Sequence, residues 1–326
     1  MSTDNQIVKY LLVHGEVTIA DLSENLNVSR QLLHRVVKKM IDDNYLVKIG
    51  TPPKVYYKLK KTPPRTTEEH LLNPGEISFL EEHFLLITET GERLKGIDAM
   101  QFWCARQKLP FEKTIKEFIS TKQKYLQYFL SNGLIDGTDK IKNTKGFENI
   151  AVDKLLYCDF YAIERFGKTL LGTLLHFAKQ GQNKYLMNEI INIVKEKITK
   201  LIKEKKIDAV GFIPPTIKRH LQFMQVLQKG LNLPLPHIDI VKVSGAIPVP
   251  QKALNKIEDR IINAQVSIIV KDTRKFNKIL LIDDAVGSGA TINETAVKLK
   301  FKETAKTVIG LAITGSFKGF DVIQEV

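Results

Sequence analysis

The sequence predicts an α/β protein whose C-terminal part is a doubly wound, mainly parallel sheet, preceded by a small helical domain and a mostly helical middle region. Three observations carry this prediction. Helical apolar spacing gives way to two short β-rich runs before residue 61, a Pro- and Thr-rich segment follows, and short apolar runs then alternate with helical stretches. The predicted parts are residues 1–61, a linker at 62–72, the middle region 73–150 and the sheet domain 151–326.

Composition places the chain among ordinary globular proteins. Its 326 residues are 43% hydrophobic and carry a formal charge of +13, which favours a polyanionic partner but also suits a solubilising surface. Cys104 and Cys158 are too few for a disulfide framework and lack zinc-site spacing, so we expect both to be reduced and packed. No run reaches the roughly 18 apolar residues of a membrane span, and we expect a soluble, cytoplasmic protein.

The N-terminal part changes its apolar period in a recognisable order. Helical spacing covers 5–15, 18–28 and 29–46, and then "LVKIG" and "VYYKLKK" read as two strands joined by "TPPK". The prolines suit the tip of a hairpin rather than a strand interior. Three helices followed by a two-stranded wing resemble a winged helix-turn-helix domain, and the resemblance implies a DNA-binding role.

The third predicted helix has an apolar face and a cationic face. Ser29 suits its N-cap, and the spacing turns five apolar residues toward the core: Leu32, Leu33, Val36, Val37 and Met40. We expect Ser29, Arg30, Gln31 and His34 near base edges, Arg35 or Lys38 near phosphates, and Lys48 and Lys54 on the wing. Such a surface also suits a protein-docking or dimerisation module.

The middle region offers structure but no chemical motif. We predict a strand at 84–90, a turn at 90–96 and helices at 96–108 and 111–133. Six aromatic residues recur at helical spacing: Phe102, Trp103, Phe118, Tyr125, Tyr128 and Phe129. A stacking platform for bases is possible, but this spacing favours core packing.

Beyond residue 151 helices and strands alternate. Helices are predicted at 165–180, 184–206, 216–231 and about 290–302, with apolar strands at 207–214, 237–243, 265–270, 278–284 and 307–314. Short, nearly all-apolar strands separated by helices are typical of a parallel sheet that is covered on both faces.

The run "ILLIDDAVGSGAT" at 279–291 is the strongest chemical signal. Asp283 and Asp284 fall at the carboxyl end of a predicted strand, where open α/β sheets bind ligands. Two adjacent carboxylates need hydroxyl donors or a cation, and the small-residue loop after them can close around a phosphate at a helix N-terminus. Ser288 and Thr291 add hydroxyl groups. Because no lysine follows the glycines, a P-loop is excluded, and the pattern predicts a ribose 5-phosphate ligand.

This run resembles the fingerprint of type I phosphoribosyltransferases, and the stretch 155–316 is similar to their ComF-like branch through Gln251, Leu254, Arg260 and Asn263. The resemblance implies a Mg2+-dependent phosphoribosyl pyrophosphate site. Asp283 and Asp284 would be the catalytic pair on the ribose hydroxyls, with Mg2+ held through the ligand. The implied 5-phosphate residues are Ala285, Val286, Gly287, Ser288, Gly289, Ala290 and Thr291.

The pyrophosphate side of that site is less defined. Lys218 and Arg219 follow the first predicted core strand, and Arg260 belongs to the segment that precedes the fingerprint. Pro214 and Pro215 remove backbone donors from the turn that would hold the pyrophosphate. All three cations therefore stay candidates.

Joining the two modules predicts a function. Purine-operon repressors of some bacteria resemble this chain in combining a winged domain with a phosphoribosyltransferase-like domain. We therefore expect a DNA-binding transcriptional regulator, a homodimer on double-stranded DNA, that senses phosphoribosyl pyrophosphate or a nucleotide. The alternatives are an active phosphoribosyltransferase of unknown acceptor and a ComF-like factor in DNA uptake or processing.

Overall fold

The computed structural model describes residues 3–43, 45–60, 72–217, 219–243, 247, 249 and 253–318. Lys218, Gln251 and all of the predicted linker except Leu72 lie outside the described residues. The chain divides into two compact units, Met1–His70 and Leu71–Val326.

The N-terminal unit has the predicted order of elements. Its helices are α1 (Thr3–His14), α2 (Ile19–Leu26) and α3 (Arg30–Asp42), followed by strands β1 (Leu46–Thr51) and β2 (Lys54–Leu59). The two strands form an antiparallel hairpin, and Val17 adds a bridge to Tyr57. Thr18 and Ser29 accept N–H groups at the starts of α2 and α3, which fixes where each helix begins.

The second unit begins with the middle region. Its elements are α4 (Pro74–His83), β3 (Leu85–Ile87), β4 (Arg93–Lys95), α5 (Gly96–Gln107), α6 (Phe111–Leu126), β5 (Ile135–Asp136) and α7 (Thr138–Asn143). Aromatic side chains of this region pack into the interior, where Phe118 contacts Phe84 and Phe166, and Tyr125 contacts Phe160. The prediction that these aromatics pack a core is confirmed.

The remaining elements build the main sheet and its cover. They are β6 (Lys154–Phe160), β7 (Ala162–Ile163), β8 (Gly167–Lys168), α8 (Leu170–Gln180), α9 (Lys184–Lys205), β9 (Ala209–Phe212), α10 (Phe223–Leu231), β10 (Ile240–Lys242), α11 (Ile257–Ser267), β11 (Ile268–Val270), β12 (Phe276–Val286), α12 (Ala290–Phe301) and β13 (Ala305–Gly315).

Five strands form one sheet in the order β5-β6-β13-β12-β9. The last four are mutually parallel, and β5 pairs antiparallel at the edge. Helices α8, α9 and α10 bury apolar residues against one face through Leu280 and Ile282. Helices α11 and α12, together with the middle region, cover the face that carries Ile279 and Leu281. The predicted doubly wound, mainly parallel sheet is confirmed.

Three local predictions differ from the structure. Residues 154–160, for which no strand was predicted, form β6 beside β13. The predicted strands at 237–243 and 265–270 contain β10 and β11, which form a separate antiparallel pair. The predicted turn at 90–96 contains β4, which pairs with β3. β6 and β10 pair with strands that are distant in sequence, which the local pattern does not specify, whereas β4 pairs with the nearby β3.

Two further findings concern the described residues as a whole. No helix among them combines the length and the apolar character that a membrane crossing requires. Cys104 and Cys158 are buried and form no disulfide in the described part of the chain, as predicted for packed thiols.

Candidate functional site

The acidic pair lies at the carboxyl end of β12, between β13 and β9. Asp283 pairs in register with Ala312, so it stands beside the end of the neighbouring parallel strand. Both carboxyl groups are half-buried, and the Asp284 side chain is 18% exposed. Consecutive strand residues point to opposite faces, so the two carboxylates flank the tip of the strand.

Cations from three different elements surround this pair. Lys179 of α8 places its Nζ 2.5 Å from Asp284 Oδ2. Lys242 of β10 lies close enough to both aspartates for their charges to raise its pKa, although burial has the larger, opposite effect and lowers it. Arg219 donates to the Lys179 carbonyl, which brings a third cation to the same corner. The site is therefore a mixed cluster of acids and cations.

Burial and the neighbouring Asp284 charge raise the pKa of Asp283 to about 7. The Asp284 N–H, which donates to Asp283 Oδ1 at 2.8 Å, and the charges of Lys179 and Lys242 act in the opposite direction. Asp283 therefore changes its charge near neutral pH. A ligand that needs both carboxylates ionised must supply the free energy of ionising Asp283 when the pH is below 7.

The loop after the acidic pair is shorter than the sequence predicted. Ala285 and Val286 continue β12, and Val286 is buried with its carbonyl accepting the Ser316 N–H. The chain turns only at 287–289 and enters α12 at Ala290. Among the predicted phosphate ligands, the turn and the first residues of α12 can offer backbone N–H groups to an anion.

Gly289 sets the geometry of this turn. It is the N-cap of α12, its φ is +86°, and a Cβ there would lie 2.6 Å from Ile141 Cδ1. No side chain caps α12, and Ser288 Oγ accepts only the Ala290 N–H, at 3.4 Å. The half-buried Thr291 hydroxyl has no hydrogen-bond partner in the described part of the chain. A phosphate can satisfy these donors at once, because they converge on the start of the helix.

Lys140 holds this turn through hydrogen bonds, and the sequence analysis did not identify this lysine. The side chain comes from α7, is 7% exposed and donates from Nζ to the carbonyls of Gly287 and Ser316, each at 2.9 Å. Burial lowers the pKa of Lys140 to about 8. This lysine ties the turn after β12 to the end of β13, and no local pattern around "TDKIKN" indicates such a long-range contact.

The three pyrophosphate candidates have different outcomes. Lys218 lies outside the described residues. Arg219 lies beside the Lys179–Asp284 pair, as described above. Arg260 of α11 donates from Nε to the Leu254 carbonyl at 2.8 Å, and its Nη1 would lie 3.5 Å from a Cβ on Gly287. Two of the candidates thus lie near the acidic pair or the turn, and Lys179 and Lys242 join them.

Helix α3 of the N-terminal unit presents the second candidate site. Leu33, Val37 and Met40 are buried on its inner face. The predicted DNA-contacting residues are all exposed: Ser29, Arg30, Gln31, His34, Arg35 and Lys38 on the helix, and Lys48 and Lys54 on the hairpin. The Ser29 hydroxyl also caps α3 by accepting the Leu32 N–H at 3.4 Å, so its first role is structural.

Comparison with known proteins supports this description of the N-terminal unit. The winged helix-turn-helix DNA-binding family matches residues 2–47. The N-terminal unit is a winged helix-turn-helix domain.

No curated protein sequence matches the chain. Among solved structures, a hypoxanthine phosphoribosyltransferase from Staphylococcus aureus is similar, with 15% identity and a TM-score of 0.24. The match covers 38% of this chain and 62% of the enzyme's chain, and carries no functional conclusion.

The winged domain differs from the prediction at one position. Leu32, expected in the core, is 39% exposed on the outer part of α3. Residues 32 and 33 are 100° apart on a helix, so the buried stripe through Leu33, Val37 and Met40 excludes it. An exposed leucine among cations can contact a thymine methyl group in a major groove.

The donor set also bears on magnesium. The described residues contain no cluster of three His, Cys, Asp or Glu side chains that could hold a metal ion. Asp283 and Asp284 are oxygen ligands of the kind that Mg2+ accepts, but they are fewer than such a cluster needs.

Proposed function

We propose that this chain is a DNA-binding transcriptional regulator whose second unit binds phosphoribosyl pyrophosphate, or a related ribose 5-phosphate ligand, with Mg2+. The observation that carries the proposal is the acidic pair near the end of β12, followed after two strand residues by a glycine turn at the start of α12. The winged helix-turn-helix domain in the same chain supports the regulatory part.

The residues around the pair fit the three parts of such a ligand. Carboxylates of Asp283 and Asp284 accept hydrogen bonds from ribose hydroxyls, and the turn with the first residues of α12 receives the 5-phosphate. Lys179, Lys242 and Arg219 supply positive charge on the side where a pyrophosphate would lie. Bound Mg2+ would neutralise part of the pyrophosphate charge.

The Lys179–Asp284 ion pair would change when a ribose binds at this site. A ribose hydroxyl that donates to Asp284 competes with the ammonium group, which contacts Oδ2 at 2.5 Å. Released from the carboxylate, the Lys179 ammonium is free to approach a phosphate oxygen. Ligand binding thereby exchanges one charge-assisted contact for another, which limits its cost.

Calorimetry with phosphoribosyl pyrophosphate and Mg2+ tests the ligand. We expect Asp283→Asn and Asp284→Asn each to weaken binding at least ~10-fold, because an amide accepts fewer hydrogen bonds than a carboxylate and lacks its charge. Asp98→Asn, at an exposed position on α5, is the matched control and should bind as the parent protein does. Parent-like affinity in both site variants would remove the site assignment.

Duplex binding tests the winged domain. The variant Arg30→Ala/Arg35→Ala should lose affinity for DNA selected from a random pool, and its slope of log affinity against log salt should fall by about 0.9 for each lost phosphate contact. The control Lys113→Ala/Lys184→Ala removes the same charge from the second unit. If both double variants bound alike, general charge rather than α3 would be responsible for DNA binding.

Repeating the DNA titration with phosphoribosyl pyrophosphate measures regulation. A homodimer predicts that the selected DNA contains paired half-sites.

One observation favours a second candidate, an active phosphoribosyltransferase. Ser316 and then Phe317 follow the end of β13. The carbonyls of Ser316 and Gly287 both accept hydrogen bonds from Lys140. The Phe317 ring packs on Tyr125 at 4.5 Å and remains half-exposed, so it offers an apolar surface near the turn for an acceptor base. Release of pyrophosphate with one of a panel of bases would establish this activity.

A ComF-like factor in DNA uptake or processing is a separate, third candidate. Of its markers, Arg260 and Asn263 both lie on α11, whereas Gln251 is outside the described residues. A role in DNA uptake or processing predicts binding to DNA without a preferred sequence, in contrast to the operator binding of a regulator.

A further inference from the structure

The edge of the main sheet opposite the acidic pair carries an unusual surface. At this amino edge, three chain segments approach one another before their strands begin: 203–208 before β9, 271–276 before β12 and 301–304 before β13. Exposed lysines occur on all three segments or in the first residues of the strands: Lys203, Lys206, Lys271 and Lys306. Phe301, the last residue of α12, is 87% exposed among them. We call these five residues the basic rim.

Hydrogen bonds hold the segments of the rim together. The Phe276 N–H donates to the Thr304 carbonyl at 2.9 Å, and Lys302 Nζ donates to the Val270 carbonyl at 2.6 Å. Lys278 Nζ reaches the Lys205 carbonyl at 3.1 Å. The last turn of α12 therefore lies beside the start of 271–276, and that segment lies beside the end of α9. The rim therefore follows the amino ends of three adjacent strands, with the end of α9 on one face of the sheet and the end of α12 on the other.

The cations of the rim are not neutralised locally. Within the described ranges, the ammonium groups of its four lysines form no ion pair or hydrogen bond. Several acids of this edge already have a cationic partner: Glu303 with Lys275 at 2.7 Å, Asp272 with Arg274 at 2.7 Å, Asp153 with Lys300 at 2.8 Å, and Glu204 with Lys200 at 3.9 Å. Asp208 accepts the N–H groups of Asn277 and Lys278, and Asp239, exposed nearby, forms no ion pair with Lys271 in the described part of the chain.

An exposed phenylalanine at a sheet edge that carries exposed lysines suits one kind of partner. Lysines bind phosphates as point charges, and an aromatic ring offers a stacking face to a base. A duplex keeps its bases stacked on each other, so only an unpaired base can use such a ring. We propose that the basic rim binds single-stranded nucleic acid, at a site separate from both the acidic pair and the recognition helix of the winged domain.

Fluorescence anisotropy with a labelled 20-nucleotide oligo(dT) tests the proposal in the full chain. All proteins carry Arg30→Ala/Arg35→Ala, which reduces binding by the winged domain. We expect Phe301→Ala to weaken oligo(dT) binding by about 5- to 100-fold, the range found when a stacking aromatic is removed. Lys206→Glu/Lys306→Glu should weaken binding and reduce the salt slope by about 0.7 for each lost phosphate contact.

Matched controls separate the rim from general charge and exposure. Lys113→Glu changes an exposed lysine of α6, and Tyr185→Ala removes an exposed aromatic from the other end of α9. Both should bind oligo(dT) within two-fold of the background protein. The proposal is overturned if the background protein does not bind oligo(dT), if the rim variants bind like the controls, or if the rim variants lose duplex binding alone. None of these outcomes depends on phosphoribosyl pyrophosphate, so the ligand proposal stands or fails separately.

Discussion

The ionisation of Asp283 makes ligand affinity depend on pH in a predictable direction. Its pKa is raised to about 7 by burial and by the charge of Asp284, whereas a ribose hydroxyl donates a stronger hydrogen bond to an ionised carboxylate than to a neutral carboxyl group. At pH 6 about 10% of Asp283 is ionised and at pH 8 about 90%. If phosphoribosyl pyrophosphate binds only the ionised form, its affinity should rise about 10-fold over this range, or ~1.4 kcal/mol.

Calorimetry across pH 5.5 to 8.5 measures this rise, and buffers of different ionisation enthalpy count the protons released. Binding should release about 0.9 proton at pH 6 and about 0.1 at pH 8 from this group. The ligand's own phosphates also titrate near pH 6, so Asp283→Asn is the essential control: it keeps the ligand contribution and loses that of the protein.

Asp284→Asn supplies a second, independent comparison. It removes the neighbouring negative charge, so the pKa of Asp283 should fall and the midpoint of the affinity curve should move to lower pH, although overall binding is weaker. The reasoning is refuted if Asp283→Asn shows the same pH dependence as the parent protein, or if the midpoint does not move in Asp284→Asn.

Three further predictions concern stability and the turn. Asp283→Asn should raise the free energy of unfolding by on the order of 2 kcal/mol at pH 8 but little at pH 4. The pKa of Asp283 is raised from 3.8 to about 7, so its ionisation costs stability as the pH rises from about 4 to 7, and the cost stays constant above 7; urea melts at both values check this. Lys140→Met should lower the unfolding free energy by about 2 kcal/mol and weaken ligand binding, since the carbonyls of Gly287 and Ser316 lose a buried donor; Lys140→Arg tests whether charge alone suffices. Gly289→Ala should cost about 1–3 kcal/mol through its positive φ and its clash with Ile141, and thermal denaturation that matches the parent would contradict the described turn.

Local periodicity was sufficient to predict much of the architecture. The winged domain follows from apolar spacing at 3 to 4 residues, a capping serine and a proline-tipped hairpin, all of which act within a few residues. The doubly wound sheet follows from short apolar strands between helices. β6 was missed because its assignment depends on pairing with β13, about 150 residues later in the chain. Leu32 was assigned to the wrong face because several residues of α3 are apolar and only packing selects the buried stripe.

The candidate site likewise contains residues that the sequence predicted and residues that only the fold brings to it. Asp283, Asp284 and Gly289 are contiguous in a pattern whose chemistry can be recognised without coordinates, so the sequence by itself determined the kind of ligand to test. Only the tertiary structure brought Lys179, Lys242 and Lys140 to that point, from three elements between 40 and 150 residues away. The physical reason is that a parallel sheet gathers strand ends that are distant in sequence at one edge, while a one-dimensional pattern records only neighbours along the chain. The same gathering at the opposite edge formed the basic rim.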